Sequence, residues 1–298
     1  MPALDEISSA IKETGTKIDA SVVAVGGGRG SGVVLDKGKV LTNAHNLRGD
    51  STRVTFSDGR TEQGQVAGAD VDGDLVVLEV DTGNAPALGW AKGEAALGDI
   101  VFGSARGSDD SLRVTAGFVS ATARSFRGPR GRRVSGSIEH TAPLGRGSSG
   151  GPIVNAAGEL IGINTNRLGE GFYLAIRADA DTRSRVDALA RGEVPTRIKL
   201  GVALAPAHVA KRLRRSVGLP DVDGVLVRAV EDESPASKGG VQKGDLITGA
   251  AGKTIVSLDD LFEALASVKP GTTVELKIVR GAEDLTLSAP TVAEETSK

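Results

Sequence analysis

From Ser21 to Arg177 the chain is cut into short apolar runs, each closed by a cluster of Gly, Asp or Asn. The runs stand at Ser21–Val25, Ser31–Leu35, Lys39–Thr42, Thr52–Phe56, Leu75–Glu79, Val114–Ser120, Gly136–Glu139, Pro152–Val154, Glu159–Asn164 and Phe172–Ile176. Runs of this length between turn residues read as β-strands, and many in succession point to an all-β barrel or sandwich. The 41 glycines among 298 residues suit the tight turns such a fold needs. Aromatic residues are only 3%, so the cores must be built from Val, Leu, Ile and Ala.

The flanking segments have another period. Leu4, Ile7, Ile11 and Ile18 recur at helical spacing, which predicts a short amphipathic helix over residues 3–14. Its polar face mixes Asp, Glu and Lys, which suits docking on the main domain better than lying on a membrane. Ala178 to Arg191 reads as a helix with Val186 and Leu189 on one face, and 192–197 as a linker. Residues 198–290 form a compact α+β unit. Its strands are expected at Leu200–Leu204, Gly224–Val230, Asp245–Ala250 and Thr273–Val279. Its helices are expected at Pro206–Val217 and Leu258–Ser267, the second capped by Ser257. Thr291–Lys298 is polar and reads as a disordered tail.

Composition removes several classes of function. With no cysteine there is no disulfide, thiolate nucleophile or Cys-bound zinc. A net charge of −2 gives no general attraction to nucleic acid. No stretch approaches the roughly 18 apolar residues of a membrane span. No basic segment followed by an apolar run opens the chain, so it reads as cytoplasmic, or as extracytoplasmic if a targeting segment has been removed.

Three local motifs carry chemistry. Gly147-Ser148-Ser149-Gly150-Gly151-Pro152 places a serine on a turn with backbone freedom on both sides. Ser149 is the candidate nucleophile, and the amides of Gly147, Ser148 and Ser149 are the candidate oxyanion donors. His45 follows the apolar strand 39–42 and is the candidate base. Asp74 opens the apolar run 75–78, where a desolvated carboxylate can hold the imidazole tautomer. Asp70 and Asp72 compete with it. The three aspartates also suggest a calcium loop, but the EF-hand pattern fails beyond them. His140 reads as structural or rim, and His208 as surface. Arg124, Arg127, Arg130, Arg132 and Arg133 crowd one loop, which reads as a mobile solvated loop, with a regulatory contact to an acidic surface or ligand as the alternative.

The order His, Asp, Ser is that of chymotrypsin-like proteases. Together with Gly30–Leu35, Val40–His45, Gly68–Leu78, Val114–Ala121, Gly147–Asn155 and Gly162–Thr165, it resembles the HtrA/DegP family of serine proteases over about residues 20–285. The resemblance implies a mostly β fold: a chymotrypsin-like double barrel at 21–191 after an N-terminal helix (1–20), a linker (192–198), a small α+β PDZ domain (199–290) and a tail (291–298). It implies His45, Asp74 and Ser149 as the triad, with no metal and no cofactor. Ser148 stands where the family usually has Asn. Glu139–Gly145 departs from the family's usual approach to the nucleophile. Pro143, Leu144, Asn166 and Arg167 are the expected specificity pocket; with no acid among them small or medium aliphatic residues are expected over basic ones, and Arg167 offers acidic residues as the alternative.

Ser234–Ile247 resembles a PDZ segment, and Lys199-Leu200-Gly201-Val202 its carboxylate-binding loop. Leu200, Gly201 and Val202 are therefore expected to bind peptide C-termini by strand addition. The resemblance implies an ATP-independent endopeptidase of unfolded or damaged proteins, and the absence of a Walker phosphate loop agrees with ATP independence. The alternative is a non-catalytic chaperone or adaptor on a protease scaffold. The family also implies a homotrimer. The region Met1–Val25, where relatives use aromatic contacts, has no aromatic residue, so Leu4, Ile7 and Ile11 would have to serve.

Overall fold

The computed structural model of this chain describes residues 2–293 except 108, 110, 130 and 194–197. Most of the expected linker, Arg130 of the arginine-rich loop and the tail beyond residue 293 lie outside the described residues. The chain divides into two compact units, Met1–Val194 and Pro195–Lys298.

The first unit begins with helix α1 (Pro2–Ile18), longer than its apolar spacing predicted. Strands β1 (Val22–Val25), β2 (Gly30–Asp36), β3 (Lys39–Thr42), β4 (Ser51–Thr55), β5 (Thr61–Asp70) and β6 (Leu75–Glu79) close into a barrel of order β1-β2-β3-β6-β5-β4. Strands β7 (Ile100–Arg106), β8 (Leu112–Arg127), β9 (Arg133–His140), β10 (Pro152–Val154), β11 (Leu160–Gly169) and β12 (Phe172–Arg177) close a second barrel of order β10-β11-β12-β9-β8-β7. Helix α2 (Ala180–Ala190) follows, with Asp179 as its cap and Val186 and Leu189 fully buried.

The alternation of side chains along a strand explains why the 75–78 run is apolar throughout. Val76 and Leu78 fill the first barrel with Val23, Val34, Val54 and Phe56. Leu75 and Val77 point the other way, into a cluster shared with Phe102, Val154, Leu160 and Ile163 of the second barrel. Both faces are thus dry. Ala10, Ile11 and Ile18 of α1 pack on this shared cluster.

Strands β5 and β7 were not legible as apolar runs. On β5 the inward positions include Gly64 and Gly68, which bring no side chain to the core. A Cβ on Gly68 would lie 2.4 Å from the Leu189 carbonyl oxygen, so the close packing of α2 requires glycine there.

The second unit pairs β13 (Ile198–Lys199) with a strand near its far end. A separate antiparallel sheet contains β14 (Val202–Ala205), β15 (Val225–Val230), β16 (Leu246–Ala250), β18 (Thr273–Arg280) and β19 (Glu283–Pro290) in that order, with β17 (Lys253–Thr254) on β16. Helices α3 (Ala207–Ser216), α4 (Pro235–Lys238) and α5 (Leu258–Ala266) complete it. Ser257 caps α5 by accepting from Asp260 N–H at 3.2 Å, as its position predicted. The tail does not begin at Thr291. Thr291 is buried and exchanges backbone hydrogen bonds with Gly271 and Thr272, and β20 (Val292–Ala293) pairs with β13. Ile198 therefore belongs to a strand rather than to the linker.

Candidate active site

His45 sits on a single turn of 3-10 helix, Ala44–Asn46, directly after β3. Asp74 ends the tight turn between β5 and β6 with φ +58°, a left-handed conformation that a non-glycine residue adopts at a cost of order 1 kcal/mol. That turn aims its carboxylate inward, where it is 1% exposed. His45 Nδ1 lies 2.9 and 2.8 Å from its two oxygens, and His45 N–H donates to Oδ1 at 3.1 Å. Thr165 Oγ1 donates to Oδ2 at 2.7 Å. The backbone oxygen of Asp74 accepts from Asn43 Nδ2 at 2.9 Å. A buried carboxylate needs such donors in place of the water it has lost. It holds the proton on Nδ1 and leaves His45 Nε2 as an acceptor.

The competing aspartates are engaged elsewhere. Asp70 accepts from Gly73 N–H at 2.9 Å and pairs with Arg185 at 3.2 Å. Asp72 pairs with Arg132 at 3.0 Å. Among the described residues no three acidic or histidine side chains gather as a metal site.

Ser149 lies on the turn before β10. Gly147 and Gly150 have φ +83° and +85°, and a Cβ on Gly150 would lie 2.2 Å from the Ser31 carbonyl oxygen. Gly151 N–H closes the turn on Ser148 O at 3.0 Å. Among the described residues nothing accepts from the N–H groups of Gly147 or Ser149, which leaves both for an oxyanion. The Ser149 hydroxyl donates to Thr165 O at 3.0 Å rather than to His45.

Three residues given no role in the sequence hold this turn. Ser31 N–H and Asn46 Nδ2 donate to Ser149 O at 2.8 and 2.9 Å. Asn46 also donates to Thr42 Oγ1 at 2.9 Å, and Ser31 Oγ to Gly147 O at 2.8 Å. Thr165 touches both Asp74 and Ser149. Gly30 is a trace of Asn46's role: a Cβ there would lie 2.3 Å from the Asn46 amide.

The expected specificity segments flank the serine. Pro143 O accepts from Thr115 Oγ1 at 2.7 Å, and Leu144 packs against Gly103. Asn166 pairs in register with Leu174, and the Arg167 guanidinium lies 5.7 Å from the Tyr173 ring centre. The arginine-rich hairpin between β8 and β9 is substantially tied down. Arg124 pairs with Glu139 at 2.8 Å, and Arg127 donates to Gly131 O at 3.0 Å.

His140 is structural. It is fully buried, stacked on Tyr173 at 5.7 Å, with Nε2 3.1 Å from Asn164 Oδ1. Burial pushes its pKa from 6.5 down to about 4. Because the folded value lies below the unfolded one, the unfolded chain binds the extra proton first. This contribution to stability is complete above pH 6.5 and is lost as pH falls toward 4, by roughly 3 kcal/mol in total. Unfolding titrations at pH 7, 5.5 and 4.5 are expected to show this slope, and His140→Gln to flatten it. An unchanged slope in the variant would refute the assignment.

In the second unit, Leu200 is buried and its carbonyl accepts from Ala236 N–H at 2.9 Å. Gly201 has φ +74° and a Cβ there would strike the Ser234 side chain. Val202 begins β14, an edge strand.

Family comparison matches residues 30–163 to a trypsin-like peptidase domain and 199–291 to a PDZ domain. A probable periplasmic serine endoprotease, DegP-like, of Halomonas elongata is 35% identical over 263 residues, covering 85% of this chain and 54% of that protein. The serine endoprotease DegS of Escherichia coli K12 is 30% identical over 273 residues, covering 87% of this chain and 75% of that protein. The chain thus spans about half of the first relative and three quarters of the second. The crystal structure of a serine endoprotease from Yersinia pestis superposes with a TM-score of 0.76 at 26% identity, covering 96% of this chain and 98% of that one.

Proposed function

Because the chain belongs to the HtrA family of trypsin-like serine endoproteases with a C-terminal PDZ domain, we propose that His45, Asp74 and Ser149 are its catalytic triad and unfolded or damaged proteins its substrates. The observation that carries this reading is the buried Asp74 carboxylate on His45 Nδ1, which leaves Nε2 to take a proton. A bound peptide turns the Ser149 hydroxyl from Thr165 O toward His45. Oγ then attacks the scissile carbonyl as Nε2 accepts its proton. The oxyanion accepts from the Gly147 and Ser149 amides, and His45 returns the proton to the leaving amine. Water activated by the same histidine hydrolyses the acyl-enzyme.

Pro143, Leu144, Asn166 and Arg167, the expected specificity segments, include no carboxylate, which favours aliphatic over basic residues before the scissile bond and leaves acidic residues beside Arg167 as the alternative. The free edge of β14, after the Leu200–Val202 loop, supports binding of peptide C-termini by strand addition. The expectation of a homotrimer rests on the family resemblance alone, with a monomer as the alternative. Of the aliphatic residues on α1, Ile7 is 48% exposed, whereas Ile11 packs on the barrels. Among the described residues no helix is long and apolar enough to cross a membrane. The naming of the Halomonas relative as periplasmic supports an extracytoplasmic site of action.

Fluorophosphonate labelling together with mapping of cuts in unfolded casein tests the reading. Labelling at Ser149 and cuts after aliphatic residues are expected. Dominant cutting after Lys or Arg would overturn the pocket, and neither labelling nor cutting would favour the non-catalytic chaperone.

A further inference from the structure

Beside the proposed triad, three exposed arginines line one open pocket, and no carboxylate among the described residues pairs with them. The turn joining β1 to β2 and the segment after His45 enclose, with β4 and β5, a pocket of about 390 Å³. Arg29, Arg48 and Arg53 line it, with Ser51, Gln63 and Gly26. Gly26 N–H donates to Arg53 O at 2.8 Å, which ties the turn to β4. The Arg29 guanidinium folds back over Gly26, where a Cβ would lie 3.0 Å from its nearest nitrogen. Gln63 Nε2 donates to Ser51 Oγ at 2.8 Å. None of the three arginine side chains is paired with a carboxylate among the described residues, and Asp50, two residues from Arg48, makes no ion pair with them. By contrast, Arg60 on the same barrel is held by Glu62 at 3.1 Å.

Like charges gathered without compensation repel, and an anion placed among them relieves that repulsion while accepting charge-assisted hydrogen bonds. The position of the pocket says which anion reaches it. The Gly28 carbonyl oxygen is 2.6 Å from where a Cβ on Gly147 would lie, so the turn abuts the oxyanion loop. Arg48 follows His45 by three residues. All six residues belong to the first barrel, whereas Pro143, Leu144, Asn166 and Arg167 belong to the second. His45 protonates the leaving amine, so the departing segment passes over the first barrel. We propose that Arg29, Arg48 and Arg53 form a subsite for acidic side chains of the substrate segment on the carboxyl side of the scissile bond. This inference rests on the proposed triad.

Two quenched-fluorescence peptides test it on the full chain. Both carry an aliphatic residue before the scissile bond. One has Glu-Asp-Glu, the other Gln-Asn-Gln, at the second to fourth positions after it. The acidic peptide is expected to have a kcat/KM about 10-fold higher at low salt, the scale of two or three exposed ion pairs. Raising the salt to about 0.5 M should shrink that advantage, because exposed pairs are screened. In the triple variant R29Q/R48Q/R53Q the ratio should approach one. Equal rates in the unaltered chain, or an advantage that survives in the triple variant, would overturn the subsite. If neither peptide is cut and Ser149 takes no label, the triad reading has failed. Fluorescence anisotropy of the two peptides then decides the pocket separately. Tighter binding of the acidic peptide, lost in the triple variant, sustains it, and equal binding overturns it.

Discussion

Replacing Ser149 with alanine is expected to lower peptide-bond hydrolysis by roughly 10⁶-fold, the scale at which a triad fails once its nucleophile is gone. The fold should survive. The hydroxyl makes one hydrogen bond, to Thr165 O at 3.0 Å, and its loss is worth about 1 kcal/mol or less. The Ser149 carbonyl keeps its bonds from Ser31 and Asn46, so the turn is held as before. Casein cleavage by the purified variant, beside a thermal melt, reads both halves. Cleavage within tenfold of the unaltered chain would remove Ser149 from the mechanism.

Asp74→Asn is expected to cost about 10⁴-fold in kcat. Every polar contact of the carboxylate is a donor: His45 Nδ1, His45 N–H and the Thr165 hydroxyl. An amide NH₂ in that position meets donors on one side or donates a hydrogen bond to an unprotonated Nδ1. Nε2 then carries the hydrogen and no longer accepts from serine. Asp70→Asn loses an ion pair with Arg185, and Asp72→Asn one with Arg132, so both should retain most of the activity. Either of them falling below Asp74→Asn would mean that the wrong carboxylate has been assigned.

What was legible in the sequence follows from how local its cause is. The strands at 39–42 and 75–79 announce themselves because both of their faces are buried. Strand β7 does not, because Gly103 and buried Ser104 interrupt it where Leu144 and Ile153 pack close. Histidine, aspartate and serine each stood in a recognisable neighbourhood. Ser31, Asn46 and Thr165 did not, because their partners lie 116, 103 and 91 residues away in the chain. The ordering of Thr291 was hidden for the same reason. Its polar neighbourhood suggests a tail, and only the closure on Thr272 and Ile198 makes it a strand entrance.

The split of the site between two barrels has a consequence for the life of the molecule. Synthesis delivers His45 and Asp74 first, on a barrel that holds no nucleophile. Ser149 comes later, and its turn is fastened by Ser31 and Asn46 of the earlier barrel. Thr165, which secures Asp74, is later still. On the proposed triad, neither barrel carries the whole set of groups, so the chemistry requires both barrels to be made and to stay fastened through Ser31, Asn46 and Thr165.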